Sequence, residues 1–321
     1  MIILLKKNLA PAAAAELARA AARLLPGASV KRSGGRLTIS AARPQRLAEA
    51  APALENLPGV EKAVLSDAEL CPLACALPKR LPSSPLDFRR GPVFIAGPCA
   101  VEGEQSYLAA ALALKAAGAH ALRAALFKPR SSPYAFQGLG WPGLKIISKA
   151  KKLTGLPLVT EATDTRQVQR LAAACDILQV GARNMRNYEL LKELARSGRA
   201  VLLKRGLRAT LTEWLLSAEY LLASGAKKII LCERGDALAR PGGPLLDFKL
   251  MAAAKKLTGL PVLADPSHAS RDRALAAALA RQALRAGADG LLMEASPDPF
   301  AARVDGRQTV SIETFRAITG K

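Results

Sequence analysis

Four residues scattered through the chain have side chains suited to holding metal ions: Cys99, His268, Glu294 and Asp305. One thiol, one imidazole and two carboxyls form a mixed donor set that suits a first-row divalent ion such as Mn, Fe, Co or Zn. His268 carries much of that weight, because the chain has only two histidines. The other, His120, opens an apolar run and reads as structural. Six cations form a second set: Arg123, Lys128, Arg130, Arg183, Lys204 and Arg234. Guanidinium groups grip phosphate or carboxylate in two-pronged fashion, and lysine adds a compact charge with a transferable proton. Together they call for a substrate more anionic than a single carboxylate. Taken singly, each is weak, since a strand-end cysteine is usually packing and a strand-end lysine usually solvated. The alternative, rim ion pairs alone, suffers from a shortage of acids near these cations.

The elements that must gather these groups are legible from residue 92 onward. Apolar runs at 93–97, 120–126, 157–161, 176–181, 200–204, 228–232, 261–265 and 290–295 alternate with helical patterns such as EQSYLAAALALKAAG and RALAAALARQALRAG. Continuous apolar strands separated by helices indicate parallel pairing covered on the outside. Eight such units predict a closed (β/α)8 barrel, a TIM barrel, with chemistry at the C-terminal strand ends. The two sets fall at or just beyond those ends, and Glu161 joins them there. A doubly wound sheet would want G-x-G-x-x-G after its first strand, and the sequence reads GPCAVE instead.

Ahead of the barrel, residues 1–66 read as β-α-β-β-α-β, the order of a small α+β ferredoxin-like module. Residues 67–91, with prolines at 72, 78, 82 and 85, read as a linker that holds Cys71 and Cys75, and 92–321 as the catalytic domain. Five cysteines are an odd number for a disulfide framework, and Cys175 and Cys232 sit beside strand cores as packing. The net charge of +21 raises nucleic-acid binding, but the charges are scattered and aromatics are only 4%, which leaves few stacking platforms. No nucleic-acid partner is expected. No apolar run approaches the roughly 20 residues of a membrane helix, and the N-terminus lacks a signal-peptide pattern, so a cytoplasmic protein is expected.

The motifs GPCAVE (97–102), FKPRSSPYAFQGLG (127–140), TEATD (160–164), DILQVGARNM (176–185), LLKRG (202–206), LCERG (231–235), DPSHAS (265–270) and MEASPDP (293–299) with DG (305–306) come in order across the barrel. As a set they resemble the 3-deoxy-D-arabino-heptulosonate 7-phosphate (DAHP) synthases, in the bacterial form with an N-terminal ferredoxin-like regulatory domain. The resemblance implies metal ligands at Cys99, His268, Glu294 and Asp305, with Mn the first choice for assay. It implies phosphoenolpyruvate contacts at Arg123, Lys128, Arg183, Lys204 and Arg234, and an erythrose 4-phosphate clamp at Lys128, Pro129, Arg130 and Ser131. Lys128 and Glu161 are the implied catalytic pair. The family also implies a homo-oligomer, tetrameric in form, and feedback control by tyrosine or phenylalanine at the N-terminal domain. The sister activity, 3-deoxy-D-manno-octulosonate 8-phosphate synthesis from arabinose 5-phosphate, is the alternative. Its sugar segment resembles K-A-N-R-S, whereas this chain reads KPRS. Departures from the family pattern are Ala100 for serine, Ala124-Ala125 for Gly-Gly, and ARPGGPLLD (239–247) in place of TRNTLD. The alanine pair adds two methyl groups expected near the substrate.

Overall fold

The computed structural model describes residues 1–76, 85–236 and 245–321, and the chain divides into two compact units, Met1–Ala76 and Leu77–Lys321.

In the first unit, four antiparallel strands, β1 (Ile2–Leu5), β2 (Ser29–Ser33), β3 (Arg36–Ser40) and β4 (Val60–Val64), lie in the order β2-β3-β1-β4. The helices Pro11–Leu24 and Gln45–Glu55 complete the ferredoxin-like βαββαβ order. Alternation decides which face is covered: Ile3, Leu5, Leu37 and Ile39 point inward and pack with Leu17, Ala21, Leu47 and Leu54 of the helices. The linker expected over 67–91 is only partly one. Asp67–Leu70 and Pro72–Cys75 are short helices of this unit, the first begun by a Ser66–Glu69 capping box. Residues 77–84 of that stretch lie outside the described residues.

The second unit is the expected barrel. Its strands are β5 (Val93–Gly97), β6 (Ala121–Arg123), β7 (Leu158–Ala162), β8 (Ile177–Val180), β9 (Ala200–Lys204), β10 (Ile229–Glu233), β11 (Val262–Ala264) and β12 (Gly290–Glu294). All pair in parallel, and β12 closes on β5 over five residues, from Gly290↔Val93 to Glu294↔Gly97. Interior side chains such as Ile95, Val159, Ile177, Leu202, Ile230, Leu263 and Leu292 make one packed core, so the barrel is no channel. Leu86 and Phe88, expected as linker, pack onto this core beside Val93 and Ala121. A linker reading failed there because two isolated apolar residues among prolines show no period.

The octapeptide AKKLTGLP occurs twice, at 150–157 and 254–261, and leads into β7 and β11. Both copies end their helix on a left-handed glycine, Gly155 at φ 71° and Gly259 at φ 68°. In both, the threonine hydroxyl donates to a carbonyl one turn back, Thr154 to Ala150 and Thr258 to Ala254, each at 2.8 Å. Both first lysines pair with an aspartate from the next unit, Lys151 with Asp176 and Lys255 with Asp289, each at 2.7 Å. Those aspartates in turn accept from the first strand amides, Leu158 N–H and Val262 N–H, each at 2.9 Å.

Candidate active site at the C-terminal strand ends

The strand ends and the loops beyond them surround a cavity of about 530 Å³. Its walls include Lys128, Pro129, Arg130, Ser131, Glu161, Arg183, Lys204, Arg234, His268 and Asp305. Arg123 stands just behind, 3% exposed, with Nη2 3.1 Å from Glu294 Oε1. Residues chosen from the sequence because they end strands are therefore brought to one place by barrel closure.

The four donor residues meet. One ligand atom from each of Cys99, His268, Glu294 and Asp305 falls within 4.8 Å of all the others. Cys99 follows β5, Glu294 ends β12, and His268 sits on the short helix Pro266–Ser270 after β11. Asp305 lies on the loop after β12, and its Oδ2 accepts from the Cys99 thiol at 3.0 Å. Glu294 Oε1 is buried, has no hydrogen-bond partner, and lies 3.4 Å from His268 Nε2. The Arg123 guanidinium 3.1 Å away offsets part of its charge, and a thiol, an imidazole and two carboxyls gathered this closely are a donor set that fits a divalent ion.

The titration behaviour agrees with that fit. Burial, followed by the Glu294 charge, raises the Cys99 pKa well above its ordinary value, a penalty that a bound cation would relieve. Burial pulls the His268 pKa down, and a neutral imidazole is the ligating form. Burial also pushes Asp305 up, but the Cys99 thiol and the charges of His268, Lys128 and Arg130 outweigh it, leaving its pKa lowered and the carboxyl ionised.

The expectation that acids would be scarce around the cations is corrected. Lys204 pairs with the buried Asp265, Lys128 Nζ lies 3.8 Å from Glu161, and Arg130 Nη1 lies 3.7 Å from Asp305. These acids stand on or beyond other strands, far from their cations in the chain, so sequence neighbours could not reveal them. Arg183 donates to Pro129 O at 3.0 Å, fixing the KPRS segment. The balance still favours anions, because six cations line the cavity, Arg271 being the sixth, against two carboxylates, Glu161 and Asp305.

Lys128 carries its charge securely. Burial opposes it, but Cys99, Glu161 and Glu294 favour it more strongly and its pKa is raised. Glu161 reaches this position because residue 181 is glycine. A Cβ on Gly181 would sit 2.1 Å from Glu161 Oε1.

The structure adds residues that sequence reasoning missed. Asp265, wholly buried, accepts from His268 N–H at 3.0 Å and places Oδ2 2.8 Å from His268 Nδ1, which leaves Nε2 to face the donor cluster. Its position as an N-cap before proline in DPSHAS was a usable signal. Gln308 donates to Glu294 Oε2 at 2.7 Å, and nothing in its sequence context marked it. Behind Arg234, the buried Glu233 pairs with Arg205 and accepts from Gly235 N–H at 2.9 Å.

Of the departures, Ala100 is fully buried in an apolar cluster with Cys99 and Val304, where a methyl group is at home. Ala124 and Ala125 are buried and line no part of the cavity, so their methyl groups do not crowd the mouth as expected. The 239–247 segment falls mostly outside the described residues. His120 lies away from the cavity, where its Nδ1 accepts from Phe94 N–H at 3.0 Å and its ring stacks on Phe94, as a structural residue would.

Comparison with known proteins agrees with this geometry. The DAHP synthetase I family matches residues 90–321. A phospho-2-dehydro-3-deoxyheptonate aldolase of Thermotoga maritima is 42% identical over 225 residues, covering 70% of this chain and 67% of the relative. A 2-dehydro-3-deoxyphosphooctonate aldolase of Syntrophotalea carbinolica is 32% identical over 240 residues, covering 69% and 86%. The crystal structure of the DAHP synthase of Thermotoga maritima superposes with a TM-score of 0.83 at 33% identity, covering 99% of this chain and 95% of that one. The barrel, its cationic mouth and its four-residue donor cluster thus meet in a chain that belongs to the DAHP synthetase I family.

Proposed function

We propose that this chain condenses phosphoenolpyruvate with D-erythrose 4-phosphate and water to give DAHP and inorganic phosphate, the first step of the shikimate pathway towards aromatic amino acids. The observation that carries this reading is the excess of cations over carboxylates in a cavity that abuts a Cys-His-Glu-Asp cluster. Two substrates that each carry a phosphate, one with a carboxylate besides, supply the matching charge. Arg123, Lys128, Arg183, Lys204 and Arg234 hold the phosphate and carboxylate of phosphoenolpyruvate. Lys128, Pro129, Arg130 and Ser131 hold the sugar phosphate. Fixing both substrates on side chains already paired and oriented removes much of the entropic cost of a two-substrate reaction.

Cys99, His268, Glu294 and Asp305 would hold a divalent ion, Mn, Fe, Co or Zn, with Mn the choice for assay. Such an ion supplies a Lewis acid for the sugar aldehyde oxygen. C3 of phosphoenolpyruvate adds to the aldehyde carbon, water adds at C2, and the phosphate departs. Lys128, kept cationic by its neighbours, holds at Nζ the proton that the new hydroxyl oxygen needs. Glu161, 3.8 Å from that ammonium, orients the water.

The ferredoxin-like unit is assigned to feedback control by tyrosine or phenylalanine, and the chain to a cytoplasmic homotetramer, in line with the family resemblance. No helix among the described residues is long and apolar enough to cross a membrane. A variant lacking residues 1–76 that keeps both activity and an unchanged inhibitor response would remove the regulatory assignment.

One assay tests the central reading: phosphoenolpyruvate consumption with erythrose 4-phosphate or arabinose 5-phosphate, before and after EDTA and again with added Mn. Turnover with erythrose 4-phosphate that EDTA abolishes and Mn restores is expected. Turnover with arabinose 5-phosphate alone would reassign the chain to the octulosonate activity.

A further inference from the structure

Three of the four donor residues stand on or beside regular elements, but Asp305 does not. It lies in the irregular stretch 301–310, with its backbone in the left-handed region at φ 56°. Aspartate adopts that conformation more readily than most non-glycine residues, and which single conformation the loop keeps is set by its contacts.

Glu102, from GPCAVE, supplies such a contact. Its carboxylate accepts from Arg303 N–H at 3.0 and 2.9 Å, one distance to each oxygen, and from Val304 N–H at 3.1 Å. Those are the two residues before Asp305. A carboxylate gripping consecutive backbone amides makes charge-assisted bonds, stronger than neutral ones. The contact also joins two parts of one site, because Glu102 is three residues beyond Cys99 and about two hundred before Asp305. Two further contacts hold the same place. Val304, 1% exposed, packs with Cys99 and Ala100, and the Arg303 guanidinium lies 4.0 Å over the Phe136 ring. Phe136 belongs to the 127–140 segment that carries Lys128 and Arg130.

We propose that Glu102 is a positioning residue for the metal centre: by clamping the amides of Arg303 and Val304 it holds the Asp305 carboxylate within reach of Cys99. The inference rests on the metal reading of the Cys99, His268, Glu294 and Asp305 cluster.

The test compares full-length wild type with Glu102→Ala and Glu102→Gln in two measurements. The first is the Mn dissociation constant, read by electron paramagnetic resonance. The second is amide hydrogen exchange over residues 303–305 in metal-free protein. Glu102→Ala is expected to weaken Mn binding by about 10- to 100-fold and to speed exchange at 303–304, while exchange in β5 and β12 stays unchanged. Glu102→Gln keeps one carbonyl acceptor without the charge and should fall between. If Glu102→Ala fails to fold, Glu102→Gln alone decides against wild type. Mn affinity within twofold of wild type, or unchanged exchange at 303–304, overturns the proposal. If wild type itself bound no Mn that Cys99→Ala loses, the metal reading would fall with it, whereas loss of affinity in Cys99→Ala alone would leave that reading standing and sink only the role of Glu102.

Discussion

The two AKKLTGLP segments enter β7 and β11 in the same way and leave them differently. At the strand starts, the glycine cap, the threonine bond and the lysine–aspartate–amide link are repeated within 0.1 Å. At the strand ends both segments turn on an aspartate cap, Asp164 or Asp265, but the groups presented to the site differ. β7 delivers Glu161 to the wall of the cavity, whereas β11 runs into Asp265 and then His268. The same local code therefore serves as a joint at one end, while the other end is left to vary with chemistry. That division follows from barrel geometry, in which loops at the C-terminal face converge on one mouth and those at the other face need only close.

Removing a group from the mouth should produce the largest effect and leave the joints intact. Lys128→Met is expected to lower kcat by about 10²- to 10⁴-fold, the usual worth of a positioned proton donor. Its melting temperature should stay near that of wild type. A variant as active as wild type would place proton delivery elsewhere.

Breaking a joint should do the reverse. Asp176→Ala and Asp289→Ala each strand a strand-start amide and a lysine, costing about 1–3 kcal/mol of stability. Denaturant unfolding should show similar losses in both, with kcat at 25 °C within about twofold of wild type, since neither joint touches the mouth. Unequal losses would mean that the two copies share a sequence but not a structural role.

A smaller effect of pH belongs to the end of the barrel away from the mouth. Burial, then the charge of Lys321, lowers the pKa of His120 below its ordinary value. The unfolded chain then binds the proton more readily than the native one. The stability that His120 contributes is present above the unfolded pKa, about 6.5, and is lost as pH falls through the lower folded value. Unfolding monitored from pH 7.5 to 5 should show this slope, and His120→Gln should flatten it. An unchanged slope in that variant would assign the pH response to other groups.

Much of this was legible before the fold was known. Every barrel strand coincides with an apolar run, because strands covered on both faces must be apolar throughout. The ligand types could be named because a lone strand-end histidine is conspicuous in a chain with two. The short helices at Asp67–Leu70 and Pro72–Cys75 were missed because four-residue helices are too short to show a period. Gln308 was missed because a glutamine in a loop has no pattern that separates a buried donor from a solvated one.

By itself, then, the sequence determined the alternating elements, the caps and turns between them, and the kinds of group that stand at each strand end. These depend on residues within a turn or two of one another. Tertiary structure alone decided which groups meet. Cys99 reaches Asp305 across 206 positions, Lys204 reaches Asp265 across 61, and Glu102 reaches Val304 across 202. Only closure of β12 onto β5 brings the first and last strand ends together, and pairings at that separation leave no local trace in the chain.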